Sequence, residues 1–163
     1  MAPSVRNAAI LIAAALVLVG IMVTLVATNH PSDDVLIKQA LTESIEASRK
    51  GQAGGVLDLL SKQLKVNQQA APESSSIAKF IRESRPDITL TNEKPLVTGD
   101  EARIVSPMDL KLNFLGQSVS RHLDNVTLVF RREEGRSLLF LPVAKWRLSE
   151  VRMPENQVES LSE

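Results

Sequence analysis

No cysteine and no tyrosine occur among the 163 residues, and aromatic side chains make up only 3% of them. The missing cysteine excludes disulfides, thiolate nucleophiles and cysteine-held metals. The two histidines, His30 and His122, are too far apart in sequence to form a His-rich metal tract, so neither a metal nor another cofactor is expected. Scarce aromatics leave no platform on which bases could stack. Basic and acidic side chains are equal at 19 each, so no surplus charge draws the chain to nucleic acid, and no nucleic-acid partner is expected.

Charge is also missing locally. Residues 8–27, AAILIAAALVLVGIMVTLVA, contain no ionisable side chain. As a helix this run is about 30 Å long, the thickness of a hydrocarbon core. A cleaved signal peptide is the alternative, with Arg6 in its n-region and LVATN at its cleavage site. The run is longer than the usual h-region of about 7–15 residues, and Leu25 occupies a position that favours a small side chain, so an uncleaved anchor in the lipid bilayer is expected. Arg6 precedes the run, whereas His30, Asp33 and Asp34 follow it. The positive-inside rule then places residues 1–7 in the cytoplasm and the remainder outside, as a single-pass protein of the cell (inner) membrane.

After a short linker, 28–32, the hydrophobic period becomes helical. Ser32 is a capping residue, and Asp33 and Asp34 sit where a helix dipole favours anions. Leu36, Ile37, Ala40, Leu41, Ile45 and Ala47 form an apolar stripe that ends before Gly51. Gly54 and Gly55 read as a helix–helix turn, since no Gly-Lys-Ser/Thr ending makes them a phosphate loop. Val56, Leu57, Leu60 and Leu64 then predict a second helix. Residues 67–76, NQQAAPESSS, read as a loop, and a short helix is expected over 75–84, stopped by Pro86.

From Asp87 the period is two. Ile88 and Leu90 alternate with threonines. Ala102, Ile104, Ser106, Met108, Leu110, Leu112 and Phe114 mark one face of a long strand; further strands are expected over 118–132 and 137–152. Turns are read at Gly99-Asp100, Gly116-Gln117 and EEGR, and Pro107 and Pro142 mark bends, bulges or edges. The layout is α+β: a membrane helix, then helices packed on a curved four-stranded antiparallel meander, with one domain over 33–153 and an acidic, mobile segment over 154–163.

Residues EASRKGQAGGVLDLLSKQL, VTGDEARIV, VTLVFRREEGR and KWRLSEV resemble elements of the nuclear transport factor 2-like superfamily, which includes ketosteroid isomerase, SnoaL-like cyclases and non-enzymatic domains. The resemblance spans roughly residues 33–153 and implies a cone-shaped domain whose bent sheet and helices enclose a pocket. It implies that Trp146 and Leu148 pack under the helices as core anchors, with Lys145 and Arg147 directed the other way, to solvent or across to Glu133 and Glu134. It also leaves room for a homodimer or a protein partner on the sheet face.

Ser120, His122 and Asp124 are the candidate pocket residues. Strand alternation places them with Val126, Leu128 and Phe130, so an inward face would offer a base and its orienter. A bulge at Asp124-Asn125 would reverse the parity and bury Val119 and Leu123 instead. Without tyrosine the chain lacks the usual donor to an enolate oxygen, and no nucleophile elbow accompanies Ser120. The expectation is therefore a membrane-anchored, extracytoplasmic binding or assembly module without catalytic residues. The alternative is an anchored isomerase, dehydratase or cyclase that uses His122 and Asp124.

Overall fold

The computed structural model describes residues 31–114, 117–136 and 142–154. The predicted anchor at 8–27 and the acidic residues 155–163 lie outside the described residues. Among the described residues no helix is long and apolar enough to cross a membrane.

Helix α1 (Asp33–Arg49) begins with two aspartates and ends with a cation, as its dipole favours. It buries Ile37, Leu41, Ser44, Ala47 and Ser48 along one face. Gly51, at φ +70°, takes the left-handed conformation that stops the helix. Helix α2 (Ala53–Leu57) is a single short turn, and it contains the glycine pair that the sequence suggested as a break. A Cβ on Gly55 would stand 2.7 Å from the Cβ of Ala47, so this glycine permits the close approach of α2 to α1. Helix α3 (Ser74–Ser84) ends at Arg85, which is left-handed at φ 42°, just before Pro86. Ser48 donates a buried hydrogen bond to the carbonyl of Pro86 at 2.9 Å, tying α1 to the entry of the sheet.

The described residues form seven strands: β1 (Leu60–Val66), β2 (Gln69–Ala70), β3 (Asp87–Leu90), β4 (Leu96–Thr98), β5 (Glu101–Phe114), β6 (Gln117–Arg136) and β7 (Pro142–Arg152). They form one sheet in the order β2-β1-β7-β6-β5-β3, with β4 pairing a separate stretch of β5. Three expectations are corrected here. The four-stranded antiparallel meander is a seven-stranded mixed sheet, because β1 joins β7 in parallel. The second predicted helix is only α2, and the chain from Leu60 is strand β1. The residues EEGR also belong to β6, which pairs with β7 as far as Arg136 and Pro142.

The helices cover one face of the sheet. Ile37 and Leu41 of α1 pack there with Ala102, Ile104, Leu123, Val126, Leu128, Phe130, Trp146 and Leu148. Phe130, Ile104, Val126 and Ile37 have no exposed surface. A second cluster, Ala47, Ala53, Val56, Ala78 and Ile81, joins the three helices.

Candidate functional site

Register decides which side chains could act together. Along β5 and β6 the pairs Ala102–Phe130, Ile104–Leu128 and Ser106–Val126 face the helices. Pro107 follows, and it has no N–H to give the ladder. Opposite it β6 carries an extra residue: the next helix-side pair is Met108–Leu123, so Asp124 and Asn125 together face Pro107. Asn125, at φ 53°, takes up the local distortion. Beyond this bulge the parity of β6 is reversed. Leu123 turns inward and is 2% exposed, whereas His122 lies on the opposite, outer face.

The sequence-predicted residues Ser120, His122 and Asp124 therefore sit on the solvent side of the sheet rather than under the helices. Val119, named with Leu123 as the alternative buried pair, is 42% exposed. Asp109, directly across from His122, joins the cluster. The Nδ1–H of His122 donates to Asp109 Oδ1 at 2.6 Å, and Nε2 lies 3.3 Å from Asp124 Oδ1. The hydrogen bond to Asp109 is the main reason the imidazole pKa is raised above its ordinary value; slight burial opposes it, and the charges of Asp109 and Asp124 add to it. Thr89, Asp109, Lys111, Ser120 and His122 border an open groove of about 440 Å³.

Proton transfer to a substrate would require one ring nitrogen of His122 to leave its carboxylate partner. A base must present a free nitrogen to the proton it takes. Here Nδ1 and Nε2 each face a carboxylate, and Nε2 points to Asp124 rather than Ser120. The ring is also more than half exposed, at 56%, so water competes for every hydrogen bond. Among the described residues no group of three or more His, Asp or Glu side chains is arranged to hold a metal ion.

The rest of the outer face carries a charged lattice. Glu101, on β5, accepts from Arg103 at 2.8 Å and lies 3.5 Å from Arg131 on β6. Glu150, on β7, pairs with Arg152 at 2.7 Å. The Arg103 hydrogen bond lowers the carboxyl pKa of Glu101, and the Arg152 hydrogen bond does the same for Glu150; Lys65 and Arg131 add to the effect at Glu150. Val129, centred among these side chains on the outer face, is only 1% exposed. Beside the lattice, Leu96 and Val105 are exposed at 72% and 52%.

Trp146 and Leu148 lie on the helix-covered face, 6% and 8% exposed. The indole Nε1–H donates to Asp33 Oδ1 at 2.9 Å. Asp33 Oδ2 accepts from Arg132, whose guanidinium lies 5.1 Å from the indole centroid. The first residue of α1 is thus locked to β6 and β7. Arg147 points outward, 3.5 Å from Glu133, and also donates to the carbonyls of Asp58 and Leu60.

The same fold recurs in solved structures. One is a nuclear transport factor 2-like protein from Cytophaga hutchinsonii: TM-score 0.57, 8% identity, 75% of this chain and 97% of that chain covered. The chain has the nuclear transport factor 2-like fold. A nuclear transport factor 2-like superfamily protein from Salmonella enterica gives TM-score 0.54 and 15% identity, with coverages of 74% and 89%. A conserved protein from Planctomyces limnophilus gives the same TM-score at 16% identity, with coverages of 74% and 93%. No protein-family model matches the sequence, and no curated protein matches it. At these identities the likeness concerns the nuclear transport factor 2-like fold alone.

The Asp109–His122 pairing and the Asp33–Trp146–Arg132 contact were not read from the sequence. The local signals for the former were Pro107 and the bulge weighed at Asp124-Asn125, which mark where the register slips. The latter joins residues 113 positions apart and has no local signal.

Proposed function

We propose that this chain is a membrane-anchored, extracytoplasmic binding or assembly module that performs no catalysis and meets its partner, a protein or a second copy, through the outer face of the sheet. One observation carries the reading. The helix-covered face, where a reaction chamber would have to lie, is packed with Phe130, Ile104, Val126, Leu128 and Trp146, while the acid–base cluster around His122 is on the outside. The apolar run at 8–27, followed by a linker of only a few residues, supports a position beside the membrane. The outer face has the make-up of a contact surface, with exposed Leu96 and Val105 bordered by arginines.

A photo-reactive amino acid at Val105 tests this in the membrane-embedded full-length chain. Phe80, 41% exposed on α3, is the control position. Irradiation should give adducts of higher mass from position 105 and few from position 80. Equal yields, or none at 105, would refute contact through the outer face.

A further inference from the structure

The bulge divides the β5–β6 ladder into a body and an arm. Pro107, which gives the ladder no N–H, stands opposite Asp124 and Asn125, and Asn125 is left-handed at φ 53°. Beyond this hinge lies the arm, residues 108–114 and 117–123. Strand β3 pairs only with the first four residues of the arm, as far as Lys111, so among the described residues the outer part is a two-stranded ribbon. Of the arm's described side chains, only Met108 and Leu123 join the main core. Leu110 and Leu112 are half-buried, and Val119 is exposed. With so little packing the arm is a unit of low local stability, which a single side-chain contact can bias.

His122 stands at this hinge with its ring between two carboxylates. Nδ1 lies 2.6 Å from Asp109 Oδ1 on β5, and Nε2 lies 3.3 Å from Oδ1 of Asp124, a residue of the bulge itself. A neutral imidazole has one N–H and one lone pair, and only the imidazolium donates from both nitrogens. The geometry therefore belongs to the charged ring. When the proton leaves, the shorter bond to Asp109 keeps the remaining N–H, and Nε2 turns a lone pair toward the Asp124 oxygen. The two carboxylates accordingly raise the imidazole pKa above 6.5. Other groups around the ring are weaker influences. In its own row β3 offers only the neutral Thr89; the next row holds Lys111 and Ser120, with Asp87 beyond them tied to Arg49 of α1. Arg121 alternates to the opposite face. Glu93 and Lys94 belong to the loop after β3, whose backbone bonds to Ser106 and Pro107 on the body side. Strand β7 stops pairing with β6 at Thr127.

We propose that His122 is a proton-operated lock on the hinge: its imidazolium ties the bulge residue Asp124 to Asp109 across the two strands and steadies the arm, and loss of the proton breaks the Asp124 contact and loosens the arm. The lock is closed in acid and opens as pH rises through the raised value of the folded ring. Asp109, His122 and Asp124 are 54%, 56% and 61% exposed, so water competes and the effect is modest. In the extracytoplasmic position proposed above, the ring meets the ambient pH directly. The lock itself does not require the outer face to bind a partner.

Hydrogen–deuterium exchange of the full-length chain in detergent, read by mass spectrometry, tests the lock. Rates are corrected for the intrinsic pH dependence of amide exchange. The amides of residues 117–125 should be about fivefold better protected at about pH 6 than at about pH 8.5, the low end for coupled sites. Helix α1, the internal control, should keep its protection. His122→Asn should show the weaker protection at both pH values; His30 remains in that variant, so the comparison removes its titration. Asp109→Asn should move the change to lower pH. The substituted side chains are more than half exposed, so the core is left untouched. Equal protection of the arm at the two pH values in the wild-type chain, a pH dependence that survives His122→Asn, or a loss shared equally by α1 would overturn the lock. Photo-adducts at position 105 report on partner contact separately, so either reading can fail without the other.

Discussion

Replacing Trp146 with alanine should cost the domain about 3–5 kcal/mol, the usual loss for a buried large aromatic. The indole is 6% exposed and packs against Leu148, Phe130 and the α1 residues of the main core, so the cavity would lie where helix and sheet meet. Two polar contacts go with it: the Nε1 hydrogen bond to Asp33 and the Arg132 guanidinium over the ring. Trp146→Phe separates these contributions. It keeps most of the packing and removes the donor, and it should cost about 1 kcal/mol for the hydrogen bond plus a smaller packing loss. Asp33 is not orphaned by the change, because Arg132 still pairs with it and its side chain is 35% exposed. The assay is urea unfolding of a fragment that begins at Pro31, followed by far-ultraviolet circular dichroism. Fluorescence is unsuitable, because the substitution removes the sole tryptophan. A loss below about 1 kcal/mol for Trp146→Ala would refute the reasoning and place the ring outside the core.

Other outcomes follow from individual contacts. By nuclear magnetic resonance, the His122 imidazole should titrate above its ordinary value of 6.5, and Asp109→Asn should bring it down. Because the folded pKa is the raised one, the contribution of the His122–Asp109 hydrogen bond to stability is complete below the unfolded value and is lost as pH rises through the folded one; a ring titrating at or below 6.5 would contradict the geometry. Gly55→Ala should destabilise the helix pair by about 1–3 kcal/mol through overpacking against Ala47. Gly54→Ala, with nothing within 4 Å, should be neutral or slightly stabilising; similar effects at the two positions would refute the close approach. A reporter that works only outside the cytoplasm should be active when fused after Glu163, and the protein should resist alkaline carbonate extraction; the reverse pattern, or release of a shortened chain, would overturn the anchor.

Much of the architecture was legible because its periods are unambiguous. The stripe of α1, the stop of α3 before Pro86 and the alternation along β5 each fit one template. Strand β1 was hidden by coincidence. Leu60 and Leu64 are four apart, which fits a helical stripe and equally fits one face of a strand, and both pack against the main core. Its partner β7 is more than 80 residues away, so only tertiary pairing selects the strand. Strands β2 and β4 are too short, at two and three residues, to show a period. For the candidate site, the alternation that places His122 with Phe130 is correct within each half of β6 and fails across Asp124-Asn125. One extra residue moved the cluster from the helix-covered face to the outside.

The central claim, that the domain makes contacts rather than performs chemistry, is tested most directly by complementation. His122→Asn and Asp124→Asn are introduced together into the full-length chain, and abundance is checked by immunoblot in a deletion strain. Asparagine keeps hydrogen-bonding capacity but moves no proton. The account predicts full complementation at normal abundance. Failure at normal abundance would count against it and promote a His122-dependent site; loss of a true general base would further show as a rate lowered by about 10²–10⁴-fold while the fold survives.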